Sequence, residues 1–310
     1  MAMDRLHITA SAYADRWMRQ LRTSSRQHRL QAWHAYLQAA PLALILLIFL
    51  VIPIAVIMMY SVWRFTGFQT LPDFTFANYV QVLTSSTTYS NYFTAIKLTL
   101  ITWAISVIIA FVTSYFLVFD VVKMSTKIAL FLLCVVPFWT SGVIRNIAWI
   151  PLLGRNGLIN HILVQSGIIS EPLEFLLFSE FAVVLAYVHV YTLFMLAPIF
   201  NTMARISPEL LEAARDNGAK GWQVFWYVVV PLCKPGVAIG TIFVITLTMG
   251  DFTAVRLLGG GQAGTVAYGM SNQIAFVQFP LAGANAIVLL LVLLLAVSGI
   301  MRLVNVRRQL

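Results

Sequence analysis

The sequence predicts an all-α polytopic membrane protein with six transmembrane helices. Three observations carry that expectation. Of 310 residues, 60% are hydrophobic and only 10% are charged, whereas a soluble domain carries roughly 25% charged residues. Mean hydropathy is +0.86. The apolar residues also gather in six runs of about 20, the length at which a helix rising ~1.5 Å per residue crosses a ~30 Å hydrocarbon layer. A disordered chain, a nucleic-acid-binding domain and an ordinary cytosolic enzyme are all excluded by this composition. The net charge of +9 is no basic patch, because the Lys and Arg residues lie between the apolar runs, where they report topology.

In chain order, residues 1–40 form a basic segment in which Arg5, Arg16, Arg19, Arg22, Arg26 and Arg29 alternate with Leu, Trp and Met. It reads as a solvated cytoplasmic tail that fixes topology, with an amphipathic helix on anionic lipid as the alternative. The first transmembrane helix follows over 41–60 (Pro41–Tyr60). It begins too late and runs too long for a cleaved signal peptide, so it reads as a retained span. The remaining runs are Ile96–Phe119, Ile128–Trp149, Phe181–Met203, Val237–Val255 and Asn285–Met301. The third and fifth are the least uniform, since Arg145 and Asp251 fall inside them. Residues 302–310 form a short basic tail.

Orientation follows from the cations. Assigned to alternate sides, fifteen Lys and Arg lie on the side of the termini and three, Arg64, Arg155 and Arg256, lie opposite. Lys97 and Arg145 fall within spans. Both termini are therefore expected in the cytoplasm. Cys134, inside an apolar run, and Cys233, between runs, sit at different depths and support no disulfide framework.

The loop between the fourth and fifth spans carries the most specific signal. It reads Ser207-Pro208-Glu209-Leu210-Leu211-Glu212-Ala213-Ala214-Arg215-Asp216-Asn217-Gly218. Ser207 is a good N-cap residue, Pro208 suits the first helical position and Glu209 complements the positive helix end. Leu210, Leu211 and Ala214 form an apolar stripe, and Gly218 is a helix stop. A second short amphipathic stretch, Trp222 to Tyr227, leads into Val228-Val229-Val230-Pro231.

With Glu212-Ala213-Ala214, then Gly218, then Val228, Val230 and Pro231 at matching spacing, the loop resembles that of the membrane subunits of bacterial binding-protein-dependent ABC importers. Val replaces the more usual Ile and Leu before the proline. The likeness covers roughly residues 90–300 and points to the spermidine/putrescine-type branch. Val136-Pro137-Phe138-Trp139-Thr140-Ser141, Arg145 and Ala148-Trp149 look like that branch's third span. Gly250-Asp251-Phe252 and Leu257-Leu258-Gly259-Gly260 look like its fifth span and following loop.

The resemblance implies the type I ABC importer permease fold, with a permease core over 90–301 and a coupling loop over 204–235 that docks on a separate ATPase. It implies two ABC ATPase subunits, a second permease subunit and a periplasmic substrate-binding protein as partners, in the bacterial inner membrane. Glu212, Ala213, Ala214, Gly218 and Pro231 would be the coupling residues. The chain contains no G-x-x-x-x-G-K-[ST] sequence, so no P-loop. ATP and magnesium would be bound by the partner ATPase, with no cofactor in this chain and no catalytic or metal site.

An ionisable residue inside a span costs roughly 2.5–3.5 kcal/mol on insertion scales and so faces a cavity or a partner. Asp251 and Arg145 are thus candidates for the solute path, with an Arg145–Asp251 ion pair an equally good reading. Gly250 and the run Gly259-Gly260-Gly261 imply irregular backbone, tolerated only where it lines a cavity or is buried in protein. Trp139, Trp149 and Phe252 would form a cavity wall, or the tryptophans would anchor at the interface. Gly236 and Gly240 have the spacing of helix packing, and His189, alone in its span, reads as packed.

Two departures from the branch bear on the solute. Val255 and Arg256 stand where a Pro and an acid usually precede Leu-Leu-Gly-Gly. Gln278-Phe279-Pro280-Leu281 replaces Asp-Trp-Pro-Leu. At ~4 Å and an effective dielectric near 20, each unit of charge is worth up to about 4 kcal/mol. A path that has exchanged acids for Arg256 and Gln278 favours a small polar organic solute with an anionic or zwitterionic part, opine- or aminophosphonate-like, with polyamine as the alternative. A secondary transporter or channel is the competing class. It is disfavoured because no internal repeat is evident and Asp251 is the single acid in a span. A membrane-embedded enzyme would need H-E-x-x-H, a Cys/His cluster or a Ser/His/Asp set, and none has suitable spacing.

Overall fold

The computed structural model describes residues 38, 40–67 and 69–304. The readings of the basic N-terminal segment and of the end of the tail therefore lie outside the described residues. Contacts divide the chain into two units, up to Met59 and from Tyr60 onward.

The first unit holds nearly all of α1 (Ala40–Ser61), apolar along its length. Its helix widens into a π-turn over Leu47–Val51, just before Pro53. Proline lacks an N–H and its ring collides with the carbonyl four residues back, so a wider turn relieves both problems.

In the second unit, a hairpin of β1 (Trp63–Phe65) and β2 (Thr70–Phe74) pairs Arg64 with Leu71 and Phe65 with Thr70. The amide of Asn78, on α2 (Ala77–Thr84), pins it by donating to the Ser61 and Trp63 carbonyls, at 2.9 Å each. Then come α3 (Ser86–Asp120), α4 (Met124–Trp139), α5 (Gly142–Leu153) and α6 (Leu158–Gln165). After these follow α7 (Glu180–Met203), α8 (Pro208–Asp216) and α9 (Gly221–Gly250). Last are α10 (Thr253–Leu258), α11 (Val266–Ala275) and α12 (Phe279–Leu303).

Helices α1, α3, α7, α9 and α12 are each long and apolar enough to cross a membrane. A sixth apolar stretch is α4 with Gly142–Gln165, a pair bent by 90° that has the length and composition of one broken span or of a re-entrant loop. The expected third span, Ile128–Trp149, is therefore not one straight helix. Val136-Pro137 tightens α4 into a 3₁₀ turn and Thr140 is extended, so the chain restarts at Gly142 in a new direction.

Helix α7 is the centre of the core, with Ala182, Val183, Tyr187, Met195, Ile199 and Met203 buried between α3 and α9. A lipid-embedded core gains little from hydrophobic exclusion, so close approach and interhelical hydrogen bonds do more of the holding. Thr99 and Thr248 hydroxyls meet at 2.9 Å, Trp103 donates to Thr241 at 2.9 Å and Ser106 meets Thr192 at 3.1 Å. Gly236 and Gly240 are where α9 touches α7. A Cβ at Gly236 would sit 2.5 Å from the Pro198 carbonyl oxygen, and one at Gly240 would sit 2.5 Å from the Met195 sulfur. The helix-packing reading of these two glycines holds.

The expected fifth span, Val237–Val255, is shifted. Helix α9 starts at Gly221 and ends at Gly250, so Asp251, Phe252 and Val255 lie beyond it. The stretch from Trp222 to Tyr227 is accordingly the first part of a continuous helix and not a separate one. A π-turn over Phe225–Val229 lets it pass Pro231, as Leu47–Val51 does before Pro53.

Candidate functional site

Two places collect the residues singled out from the sequence: the loop of α8, and the break in the bent span facing the α9–α10 joint.

Pro208 opens α8 at its first turn, as expected, and Glu209 lies in that turn. Ser207 holds the N-cap position, but its side chain makes no capping bond. The expected stripe is narrower than predicted. Leu211 is buried and Ala214 half-buried against a cluster with Ile206 and Val224, whereas Leu210 is exposed. The helix is closed by Gly218 at φ +85°. Gly218 N–H donates to the Arg215 carbonyl at 2.8 Å and Ala219 N–H to that of Ala214 at 3.1 Å. That pair of bonds is a Schellman motif, which requires a left-handed residue. A Cβ at Gly218 would meet nothing within 4 Å. Glu212, Ala213, Arg215 and Asp216 are exposed with it. The loop is thus a short helix held by one apolar edge, with Glu212, Ala213 and Gly218 on its open surface. Pro231 lies in the first turn of the part of α9 that follows its π-turn, Val230–Gly250.

At the far end of α9, Asp251 occupies the joint between α9 and α10. Its Oδ1 accepts from the Thr253 N–H at 2.6 Å and the Ala254 N–H at 3.1 Å, capping α10. Its Oδ2 accepts from the Tyr191 hydroxyl, and its backbone carbonyl accepts from the Tyr187 hydroxyl at 3.1 Å. Asp251 therefore fastens α10 and α9 to α7. It forms no ion pair with Arg145 within 4 Å. That alternative is corrected: the carboxylate's lone pairs are used by backbone amides and a tyrosine.

A cavity of about 420 Å³ lies beside this joint, lined by Ser141, Gly142, Asn146, Tyr191, Asp251 and Phe252 among others. The opposite wall is the start of α5. Arg145, half-buried, lines two neighbouring cavities of about 300 and 530 Å³. Its guanidinium carbon is 6.0 Å from the centroid of the Phe138 ring, and its buried Nε has no hydrogen-bond partner among the described residues.

The three aromatics do not form one wall. Phe252 lines the cavity beside Asp251, while Trp139 is 76% exposed at the end of α4. Trp149 donates to His189 Nδ1 at 3.2 Å, their rings edge to face at 5.6 Å. His189 is exposed and lines the same two cavities as Arg145, so the packed reading is corrected; its ring is held by Trp149 alone among the described residues. Arg256 is exposed on the last turn of α10. The Gly259–Gly261 run is irregular backbone, as expected, with Gly260 and Gly261 at positive φ.

Sequence reasoning missed two features. Lys97 on α3 pairs with Glu180 on α7 at 2.6 Å, across 83 positions, with nothing local to signal it. A groove of about 1010 Å³ follows α7 between α4 and α9, from Arg205 and Leu210 at the loop to Phe194 and Phe243. No sequence period marks it, because its walls come from helices that are apolar on most faces.

No family model matches the chain. A search of curated proteins finds the spermidine/putrescine transport system permease protein PotB of Haemophilus influenzae, 36% identical over 160 residues, or 51% of this chain and 56% of that protein. It also finds the inner membrane ABC transporter permease protein YdcU of Escherichia coli, 30% identical over 247 residues, or 75% of this chain and 77% of the relative. The chain thus spans about half the length of the first relative and more than three quarters of the second. Among solved structures, a bacterial alginate ABC transporter in complex with its alginate pentasaccharide-bound periplasmic protein superposes with a TM-score of 0.70. It covers 88% of this chain and 95% of that one at 18% identity, a likeness of fold.

Proposed function

The chain belongs to the inner-membrane permease family of ABC transporters, and from that premise we propose how it is driven and what it carries. It is the non-catalytic permease subunit of an importer, and it passes a small polar organic solute from a periplasmic binding protein to the cytoplasm. ATP and magnesium are bound by two partner ATPase subunits, and a second permease completes the path. The relatives' names support the transport class, while the solute is argued from this chain's own residues.

The observation that carries the reading is α8: a short helix anchored by Leu211 and Ala214, stopped by a Schellman glycine, with Glu212 and Gly218 bare on its surface. It lies between α7 and α9, and those two helices are in close contact at Gly236 and Gly240. A push on α8 is therefore delivered to both helices that flank the candidate path. Closely packed helices move as bodies and do not absorb small displacements.

The test is to coexpress the chain with its partners, purify it by a tag on this chain and measure binding-protein-stimulated ATP hydrolysis and solute uptake. An ATPase is expected to copurify. Gly218→Trp meets no atom within 4 Å but strains the left-handed backbone at φ +85° by about 1–3 kcal/mol, so the permease, checked by its thermal unfolding, should stay folded while uptake falls to background. Absence of any ATPase, or uptake by Gly218→Trp at the unmodified rate, would overturn the assignment.

A further inference from the structure

The strongest feature that the function above leaves unused is the start of α5. The amide N–H groups of Gly142, Val143 and Ile144 open a twelve-residue helix, and none has an acceptor among the described residues. Ser141 sits at the N-cap with its side chain uncapping. Helix N-termini carry a partial positive charge and orphan donors, which together favour an anion. Arg145 is one turn further along. Its Nη2 lies 3.9 Å from where a Gly142 Cβ would stand, so the guanidinium folds back over this same turn. Among the described residues no carboxylate lies within 4 Å of it.

An independent observation comes from Asn146. It is 3% exposed, and its Oδ1 is buried without a partner among the described residues, on the wall that Ser141 and Gly142 share. Its two amide ends are interchangeable by rotation, so the group can present a donor or an acceptor to a guest. Buried amides are normally satisfied, and one left open at a cavity points to something that occupies the cavity. Across the cavity stands Asp251, whose oxygens accept from Thr253, Ala254 and Tyr191.

We infer that the break in the bent span is a receptor for the oxyanion of the transported solute. Arg145, the α5 amides and Asn146 hold a carboxylate or phosphonate, and the Asp251 side of the 420 Å³ cavity accommodates the amino end of a zwitterion. This deepens the importer reading and rests on it. Discontinuous membrane helices use their half-helix N-termini in this way, because a positive helix end inside the membrane finds no other counter-charge.

Guanidinium modification tests the site directly. The complete complex in nanodiscs is treated with phenylglyoxal, and modification of each arginine is followed by mass spectrometry, with methylphosphonate, acetate or putrescine as the added probe. Methylphosphonate or acetate should slow modification of Arg145, by about tenfold once the probe is at ten times its half-protecting concentration. Putrescine should not, and the exposed Arg256 should be unaffected by any of them. Asn146→Ala should raise the half-protecting concentration. Equal protection by putrescine, or no protection by either oxyanion, overturns the inference. So does an Arg145 that reacts in the isolated chain but is inert in the complex, which would mean that the second permease supplies its counter-charge. An arginine inert in both is buried against protein and overturns it equally. Binding-protein-stimulated ATP hydrolysis, read on the same sample, reports whether the importer assignment stands whatever Arg145 does.

Discussion

At the scale of single residues, the distinction that matters is between a side chain that is spoken for and one that is not. Asp251 was the obvious acid for a solute path, yet its oxygens cap α10 and receive Tyr191. Its removal should therefore be read first in stability. Asp251→Ala deletes the cap and is expected to cost about 1–2 kcal/mol, whereas Asp251→Asn keeps an acceptor for Thr253 and Ala254 and should lose less. Thermal unfolding of the two variants in detergent checks this, and equal losses would show that the negative charge and not the cap is what the site uses. Arg145 is the converse case, a cation beside the Phe138 ring with no ion pair among the described residues.

At the scale of elements, legibility followed how local the cause was. The apolar length of α1, α3, α7 and α12 is written along each run, so those spans were readable, and so was α8, whose proline start and glycine stop lie within eleven residues. The 90° bend at Thr140 was not readable, and at the end of α9 the irregular backbone at Gly250 was readable but the end of the span was not. Both breaks fall within apolar stretches, where hydropathy is blind to direction, and they are fixed by distant partners such as Tyr191 on Asp251. The same locality decides what substitution does to helix packing. Gly236→Ala would press a methyl onto the Pro198 carbonyl and Thr202 hydroxyl, and backbone cannot yield, so a loss of about 1–3 kcal/mol is expected. Gly299→Ala on α12 meets nothing within 4 Å and removes a flexible residue from a helix, so stability should hold or rise by up to about 1 kcal/mol. Denaturation midpoints of the two variants, measured side by side, separate a packing glycine from a bystander. Equal midpoints would refute the role given to Gly236.

At the scale of the whole molecule, the remaining question is which way the chain faces. The six apolar runs of the sequence put fifteen Lys and Arg on the side of the termini and three on the other, an excess that favours a cytoplasmic face for that side. The second unit sharpens the asymmetry. Arg64 lies 3.2 Å from Asp73 and Arg155 lies 3.4 Å from Glu174, both exposed. Two of the three cations on the opposite side thus carry a neighbouring acid. Arg256 alone, among the described residues, stands there without an ion pair. This orientation puts α8 in the cytoplasm, where an ATPase can reach it, and puts the turn at Gly167 and Ile168 outside. A membrane-impermeant maleimide distinguishes the two sides. In a background carrying Cys134→Ser and Cys233→Ala, Ile168→Cys sits at a position that is 71% exposed and should label in intact spheroplasts. Asp216→Cys, exposed at the end of α8, should label only after the membrane is opened. The reverse pattern would place α8 outside, beyond the reach of any ATP-driven partner. The coupling role would fall with it, and with it the importer reading on which the oxyanion site at α5 rests.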